Sequence, residues 1–247
     1  MNLTGFFSEY PKVAIGFSGG VDSSYLAYAA KQSGANVLAI YFHSEFQPEF
    51  ELKDAKRFCE LYGIPLQIIE GSILNTPSVV ANPTDRCYYC KRQIFGAISD
   101  YAKKVGFSVL LDGTNASDEV SDRPGMKALH ELCILSPLRI CGLTKDEIRR
   151  LSKEAGLFTW NKPAYACLAT RIPHGQKITA SLLQSVERCE MILFQMGFED
   201  FRVRVREYGA LLQVTEKDYS LATKKTEEIR RAFSPYFSNV ILDTNTR

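Results

Sequence analysis

VAIGFSGGVDSS, residues 13–24, sets an apolar strand directly against a glycine-paired loop and the start of a helix. Gly19 and Gly20 let the backbone approach an anion with no Cβ in the way, and the open N–H groups of the next helix point at the same place. Ser18, Asp22, Ser23 and Ser24 add hydroxyls and a carboxylate. The stretch therefore predicts a grip on phosphate. It has no G-x-x-x-x-G-K-[ST] lysine to hold a γ-phosphate, which disfavours a kinase or GTPase. Gly16-Phe17-Ser18-Gly19-Gly20 also satisfies G-x-S-x-G, the nucleophile elbow of α/β-hydrolases. That reading fails on its partners. An activated serine needs an acid and a histidine, and the three histidines, His43, His130 and His174, sit in no distinctive setting. A bare Gly-Gly turn between strand and helix is the plainer alternative.

The flanking sequence repeats one pattern. Val13–Gly16, Ala35–Phe42 and Pro65–Ile69 read as buried strands, separated by helices over Ser23–Ser33 and Glu51–Tyr62. This alternation predicts an α/β fold, a parallel sheet flanked by helices. A further helix is expected over Tyr89–Val105, then a strand at Ser108–Leu111 running into Asp112-Gly113-Thr114-Asn115. Ligands of open parallel sheets bind at the carboxyl ends of strands, so this second loop is expected beside the first. Thr144 to Glu147 has capping-box spacing and should open a helix to about Ala155. Residues 160–175, WNKPAYACLATRIPHG, hold two prolines and no periodicity, as a linker or a site loop would. The domain boundary is placed there, giving domains 1–165 and 166–247. The second is expected to be a smaller α+β unit: a helix over Thr179–Met196, strands at Arg202–Arg206 and Leu211–Thr215, a helix over Lys217–Phe233 and a last strand at Asn239–Leu242.

A chain of 247 residues that is 45% hydrophobic can bury a substantial core. Its 30 basic and 28 acidic residues, net +2, argue against a surface devoted to nucleic acid. The N-terminal residues lack a basic segment followed by an apolar one, and nowhere do about 18 apolar residues run together. No membrane association and a cytoplasmic location are expected. Seven cysteines without a secretion signal point to free thiols, metal ligation or redox chemistry rather than a disulfide framework.

Cys87 and Cys90 form a C-x-x-C pair, and Cys167 lies in the proline-flanked loop 160–175. Three readings stand. A structural zinc site normally recruits four protein ligands, often as two close pairs, and there is no second pair. A thioredoxin-type redox pair needs no third cysteine. Three thiolates suit a 4Fe-4S cluster with one iron left without a protein ligand. Cys59, Cys133, Cys141 and Cys189 lie in apolar contexts and read as small core residues.

SGGVDS at 18–23 resembles the PP-loop signature of enzymes that cleave ATP between the α- and β-phosphates. Taken with RCYYCKR at 86–92, LDGTNASDE at 111–119, RPG at 123–125, residues 160–175 and RVRVR at 202–206, the chain resembles the LarE family of PP-loop sulfurtransferases over nearly its whole length. The resemblance implies ATP-dependent activation of a carboxylate on a nicotinate-derived mononucleotide, then insertion of sulfur, toward the nickel-pincer cofactor of lactate racemase. The family has two sulfur sources. In one branch a single cysteine of the loop matching 160–175 gives up its own sulfur. In the other, cysteines matching Cys87, Cys90 and Cys167 hold a 4Fe-4S cluster that carries sulfide, and this chain has all three. A separate sulfide source and a homo-oligomer, with a hexamer among the forms it allows, are implied as well.

By the same resemblance, Ser18, Gly19, Gly20, Asp22, Ser23 and Ser24 hold the ATP phosphates, Asp22 acting through Mg2+, while Asp112, Gly113, Thr114 and Asp118 close the nucleotide site. Cys167, Cys87, Cys90 and Asp22 carry the chemistry. Thiolate or sulfide is nucleophilic near neutral pH without a strong base, so no catalytic histidine is required. Arg202, Arg204 and Arg206 alternate with Val203 and Val205, so a strand puts three guanidinium groups on one face, as a clamp for a substrate phosphate or as a solvated edge. Arg123 and Arg171 flank prolines and are assigned to substrate or phosphate contact. The family places metal-binding acids in its C-terminal region. Glu190 matches one of them, but Gln213 stands where another is expected.

Three other functions fit part of the sequence. A PP-loop tRNA thiolase also combines ATP with a three-cysteine cluster, but this chain lacks zinc-ribbon pairs, an added RNA-binding domain and a basic surplus. An NAD synthetase-like amidoligase would leave the three cysteines without a task. A non-enzymatic ATP sensor would release no pyrophosphate.

Overall fold

The computed structural model describes residues 1–119 and 124–247. In chain order its elements begin with α1 (Leu3–Glu9), β1 (Lys12–Gly16), α2 (Val21–Gln32), β2 (Asn36–His43), α3 (Glu49–Leu61), β3 (Leu66–Glu70), α4 (Pro77–Val80), α5 (Arg86–Lys104) and β4 (Leu110–Leu111). They continue with α6 (Pro124–Glu131), α7 (Pro137–Ile140), α8 (Lys145–Glu154), a 3-10 turn (Leu168–Arg171), α9 (Ala180–Gln195), β5 (Phe201–Arg206), β6 (Gly209–Val214), α10 (Glu216–Lys224), α11 (Thr226–Phe233) and β7 (Val240–Leu242). The chain divides into two compact units, one of residues 1–73 and 85–164, the other of residues 74–84 and 165–247.

The first unit is a four-stranded parallel sheet in the order β3-β2-β1-β4, flanked by helices. Val13, Ala14 and Ile15 of β1 are fully buried, as a central strand covered on both faces requires. Burying Ile15, Ile40 and Leu26 contributes about 1.5–3 kcal/mol each. The strand order reverses between β1 and β4, since β2 and β3 extend on one side of β1 and β4 lies on the other. That reversal puts the loops after β1 and β4 side by side. The expected strand at Ser108–Leu111 shrinks to two residues. Leu135 joins its far side by donating to Leu110 O (3.0 Å) and accepting from the N–H of Asp112 (2.9 Å).

The second unit is a three-stranded sheet, β5-β6-β7, antiparallel then parallel. Val203, Val205 and Leu212 of the sheet, Val186 and Leu193 of α9, and Ile229 and Phe233 of α11 are buried. The segment 74–84 belongs here through Asn82. Its buried side chain donates to the carbonyls of Ile172 (3.3 Å), Pro173 (2.7 Å) and Gln176 (3.2 Å), and Ile178 N–H reaches Val80 O at 2.9 Å. The single helix expected over Lys217–Phe233 is two, because Lys225 leaves helical geometry (φ −93°, ψ 9°). The helix expected from Tyr89 begins at Arg86, which places Cys87 and Cys90 on the same helix one turn apart.

Candidate active site

The loop 16–20 joins β1 to α2. Gly19 adopts φ +71°, and a Cβ there would stand 3.3 Å from Glu51 O and from the backbone and side chain of Ala55. Gly20 caps α2 with no side-chain hydrogen bond, so the first amides of a twelve-residue helix stay open to an anion. The hydroxyls of Ser18 and Ser23 face each other at 3.1 Å, and Ser18 N–H reaches Ser23 Oγ at 3.3 Å. At the second loop, a Cβ on Gly113 would lie 3.1 Å from the Ser23 amide nitrogen, so glycine is what lets the two loops meet. Asp112 is buried and accepts from Ser136 Oγ (2.6 Å), Thr114 N–H (3.2 Å) and Thr114 Oγ1 (2.5 Å), which fixes the orientation of the carboxylate. Asp118 Oδ2 accepts from Asn115 N–H at 3.0 Å and so shapes the same loop.

These residues line a cleft of about 500 Å³ whose walls are Gly16, Ser18, Asp22, Ser23, Cys87, Lys91, Phe95, Asp112, Gly113, Thr114, Asp118 and the start of α6 at Pro124–Met126. Of the predicted nucleotide set, Gly19, Gly20 and, last in the loop, Ser24 are absent from the lining. The Ser24 hydroxyl is buried, with no hydrogen-bond partner among the described residues. Arg123 lies outside the described residues. Cys87 is exposed, with an Arg86 guanidinium nitrogen 3.9 Å from its sulfur, and Cys90 is half-buried.

Sequence reasoning missed the cations. Lys145 Nζ lies 2.5 Å from Asp22 Oδ2, Asn115 Nδ2 donates to Asp22 Oδ1 at 3.3 Å, and Lys162 Nζ donates to Gly19 O at 3.2 Å while pairing with Asp54 at 2.7 Å. Lys145 carries a local signal of another kind, since it opens the helix capped by Thr144 and Glu147. Its partner is 123 residues away.

In the second unit the predicted arginines are engaged within the protein. Arg171 is buried and pairs with Glu190 through Nε (2.8 Å) and Nη2 (3.1 Å). Burial disfavours its charge, yet the hydrogen bonds and charge of Glu190 outweigh this and raise the guanidinium above its ordinary pKa. Glu190 also accepts from Tyr165 OH and, at 3.0 Å, from Val203 N–H, so its acceptor sites serve the fold. Arg171 Nη1 holds the carbonyls of Ala166 (2.8 Å) and Cys167 (3.5 Å), pinning the backbone around that thiol, which is half-buried at the N-cap of the 3-10 turn. Arg202 bonds Asp200 and Phe201 O, and burial, with Arg171 and Arg247 nearby, lowers it to about 10. Arg204 donates to Gln213 and to Thr170 O (3.0 Å), and Gln213 passes the network to Asp243 at 2.7 Å. The face expected to hold three like cations is thus not uniform: Arg202 is buried, whereas Arg204 and Arg206 are half-buried.

The cysteines named for a cluster divide between the units, Cys87 and Cys90 in the first and Cys167 in the second. Among the described residues no group of three or more histidine, cysteine, aspartate or glutamate side chains forms a metal-holding cluster, and no cysteine is disulfide-bonded. No helix among them is long and apolar enough to cross a membrane.

Comparison with known proteins agrees with this geometry. The family described as queuosine biosynthesis protein QueC matches residues 12–85, which carry the phosphate loop. An uncharacterized protein of Synechocystis sp. is 36% identical over 86% of this chain and 80% of its own length. The pyridinium-3,5-bisthiocarboxylic acid mononucleotide synthase of Lactiplantibacillus plantarum is 30% identical over 87% of this chain and 78% of its own length. The tRNA-specific 2-thiouridylase MnmA of Helicobacter acinonychis is similar over a shorter span, 32% identical over 45% of this chain and 36% of its own. The similarity to the synthase runs through both units, and the chain belongs to the LarE family of PP-loop, ATP-dependent sulfurtransferases.

Proposed function

We propose that the protein adenylates a carboxylate of pyridinium-3,5-biscarboxylic acid mononucleotide and replaces the AMP with sulfur, making the thiocarboxylate precursor of the nickel-pincer cofactor of lactate racemase. The observation that carries this reading is the cleft of the first unit, where the phosphate loop, the Asp112–Asp118 loop and the Cys87 thiol share one lining. A carboxylate is a poor electrophile because oxide is a bad leaving group. Attack of its oxygen on the α-phosphorus, with departure of pyrophosphate, turns that oxygen into part of AMP, which leaves readily when sulfur attacks the carbonyl carbon.

The open amides of α2 and the hydroxyls of Ser18 and Ser23 would receive the phosphates, and Asp22 is a hard oxygen ligand suited to Mg2+. Cys87, Cys90 and Cys167 would hold the cluster. The reading is supported by donor type, since thiolates suit iron–sulfur clusters, and by Cys87 and Cys90 sitting one turn apart on α5 with Cys87 exposed. When bound, such a cluster supplies a sulfide at the iron that lacks a protein thiolate. Arg202 and Arg204 are the proposed contacts for the substrate phosphate, with Arg171 behind them as a strut.

The test is anaerobic purification or reconstitution with iron and sulfide counts and an absorption spectrum, alongside pyrophosphate release. The expected result is about four irons and four sulfides per chain, lost in Cys167→Ala, and pyrophosphate release that depends on the pyridinium dicarboxylate. A colourless protein whose Cys167 loses its sulfur after one turnover would overturn the cluster. Pyrophosphate release that depends on tRNA instead would overturn the substrate.

A further inference from the structure

The loop 18–24 carries three hydroxyls, one carboxylate and no cation, although its proposed ligand is a polyanion. The positive charge comes from far along the chain, and one helix organises it. Lys145, the first residue of α8, donates its N–H to Ser117 Oγ at 3.0 Å and places Nζ 2.5 Å from Asp22 Oδ2. One turn on, Arg149 donates to Trp160 O (2.8 Å) and Lys162 O (2.9 Å), fixing the segment that brings Lys162 to Gly19 O. The two lysines differ in what they hold. Lys162 is tied to a backbone carbonyl and to Asp54, which sets the loop's shape. Lys145 is tied to the loop's one carboxylate.

A carboxylate that faces an ammonium on one oxygen and an amide on the other is poorly prepared to take a metal until one partner leaves. Lysine is the partner that leaves at least cost, being a compact charge on a flexible four-carbon stem, and here both members of the pair keep some contact with solvent. We propose that Lys145 is an exchangeable counter-ion: it holds Asp22 while the cleft lacks nucleotide and turns to the β- and γ-phosphates once Asp22 is engaged by Mg2+·ATP. Its ammonium then supplies from α8 the charge that a Walker-type lysine would supply from within the loop. During adenylation pyrophosphate leaves with the electron pair of the bond between the α-phosphorus and its bridging oxygen, and a cation already in place offsets that charge.

This inference rests on the adenylation reading, and its test separates the two. Three quantities are measured in wild type, Lys145→Met and Lys145→Arg: Mn2+ affinity of the nucleotide-free protein by electron paramagnetic resonance, affinity for an α,β-methylene ATP analogue with Mg2+, and the rate of pyrophosphate release. Thermal melts establish that each variant is folded. Lys145→Met is expected to bind Mn2+ alone about tenfold more tightly, because Asp22 has lost its competitor. It should bind the analogue about tenfold more weakly and release pyrophosphate at least tenfold more slowly. Lys145→Arg should keep Mn2+ affinity near wild type and regain part of the analogue affinity. A folded Lys145→Met whose Mn2+ and analogue affinities stay within about twofold of wild type would overturn the proposal. Should Lys145→Met not fold, Mn2+ binding by Lys145→Arg several-fold tighter than wild type would overturn it instead. If wild type releases no pyrophosphate with the pyridinium dicarboxylate, the adenylation reading fails, and the Mn2+ and analogue measurements still decide Lys145.

Discussion

The Asp22–Lys145 pair of the first unit and the Arg171–Glu190 pair of the second are both close, at 2.5 Å and 2.8 Å, but their surroundings differ. The Asp22 and Lys145 side chains keep 22% and 29% of their surface in solvent, whereas those of Arg171 and Glu190 keep 0% and 2%. Asp22 adds one amide to its lysine, while Glu190 adds a phenol and a backbone N–H to its arginine. Solvent on the first pair lets either member change partner at modest cost. Full burial of the second makes every member necessary to the others. Asp22 of the first pair lines the cleft, and that pair is the one proposed to exchange with a ligand, whereas the second holds the loop that carries Cys167.

The sharpest way to break the comparison is to remove one cation from each. Arg171→Met leaves Glu190 charged and buried without its partner and is expected to cost about 3–5 kcal/mol of stability. Lys145→Met, at a half-open pair, is expected to cost no more than about 1 kcal/mol. Urea unfolding of both variants checks this. Adding Glu190→Leu to Arg171→Met should regain much of the loss, since no orphan charge remains. Equal destabilisation by the two single changes would erase the distinction drawn between the units.

Glycine gives a second, smaller contrast. Gly209, the first residue of β6, has φ +131°, and a Cβ there would collide with the backbone carbonyl oxygen of Asn239 and lie 2.9 Å from its backbone nitrogen. Gly209→Ala should therefore cost about 1–3 kcal/mol or more in stability. At Gly113 the nearest obstacle is the Ser23 amide, at 3.1 Å. Gly113→Ala is expected to unfold within about 1 kcal/mol of wild type yet to bind an ATP analogue about tenfold more weakly, because the new methyl covers an amide proposed to receive phosphate. Calorimetry with unfolding curves separates the two outcomes. A loss of stability without loss of nucleotide at Gly113 would move that glycine to the structural side.

Local chemistry made much of this legible. The runs around Ile15, Ile40 and Ile68 announced parallel strands, Gly19 and Gly20 announced the tight turn from β1 into α2, and Thr144 with Glu147 announced α8 to within a residue. The misses are long-range. Nothing beside Lys145 in the chain indicates Asp22, and nothing in residues 74–84 indicates that Asn82 belongs with the loop around Pro173. Strand alternation placed Val203 and Val205 inside correctly but put Arg202 on an open face. The burial of Arg202, beside Asp200 and the Phe201 carbonyl, depends on what folds over that face. The helix α1 was also missed, although Asn2 caps it by accepting from Gly5 N–H at 2.9 Å.

The smallest expected effect concerns thiols and follows from the same contrast between open and closed surroundings. Burial raises Cys59 of α3 to about 12, and burial, with Glu190 beside it, raises Cys189 of α9 as well. Cys87 is exposed at the cleft. In iron-free protein at pH 8 iodoacetamide should modify Cys87 promptly and spare Cys59 and Cys189 until the chain unfolds, as peptide mapping by mass spectrometry would show. The raised values also set a sign for stability. Between the ordinary thiol range and about 12, the folded protein keeps a proton on Cys59 that the unfolded chain has released. Stability from this thiol is therefore complete below about pH 9 and declines as pH climbs, by about 1 kcal/mol in the first unit above it. Unfolding curves of wild type, Cys59→Ala and Cys87→Ala between pH 8 and pH 10.5 test this by slope rather than by absolute stability, since Cys59→Ala also opens a small cavity. A shallower alkaline decline in Cys59→Ala alone is expected, and an equal change in Cys87→Ala would show that the decline does not come from buried sulfur.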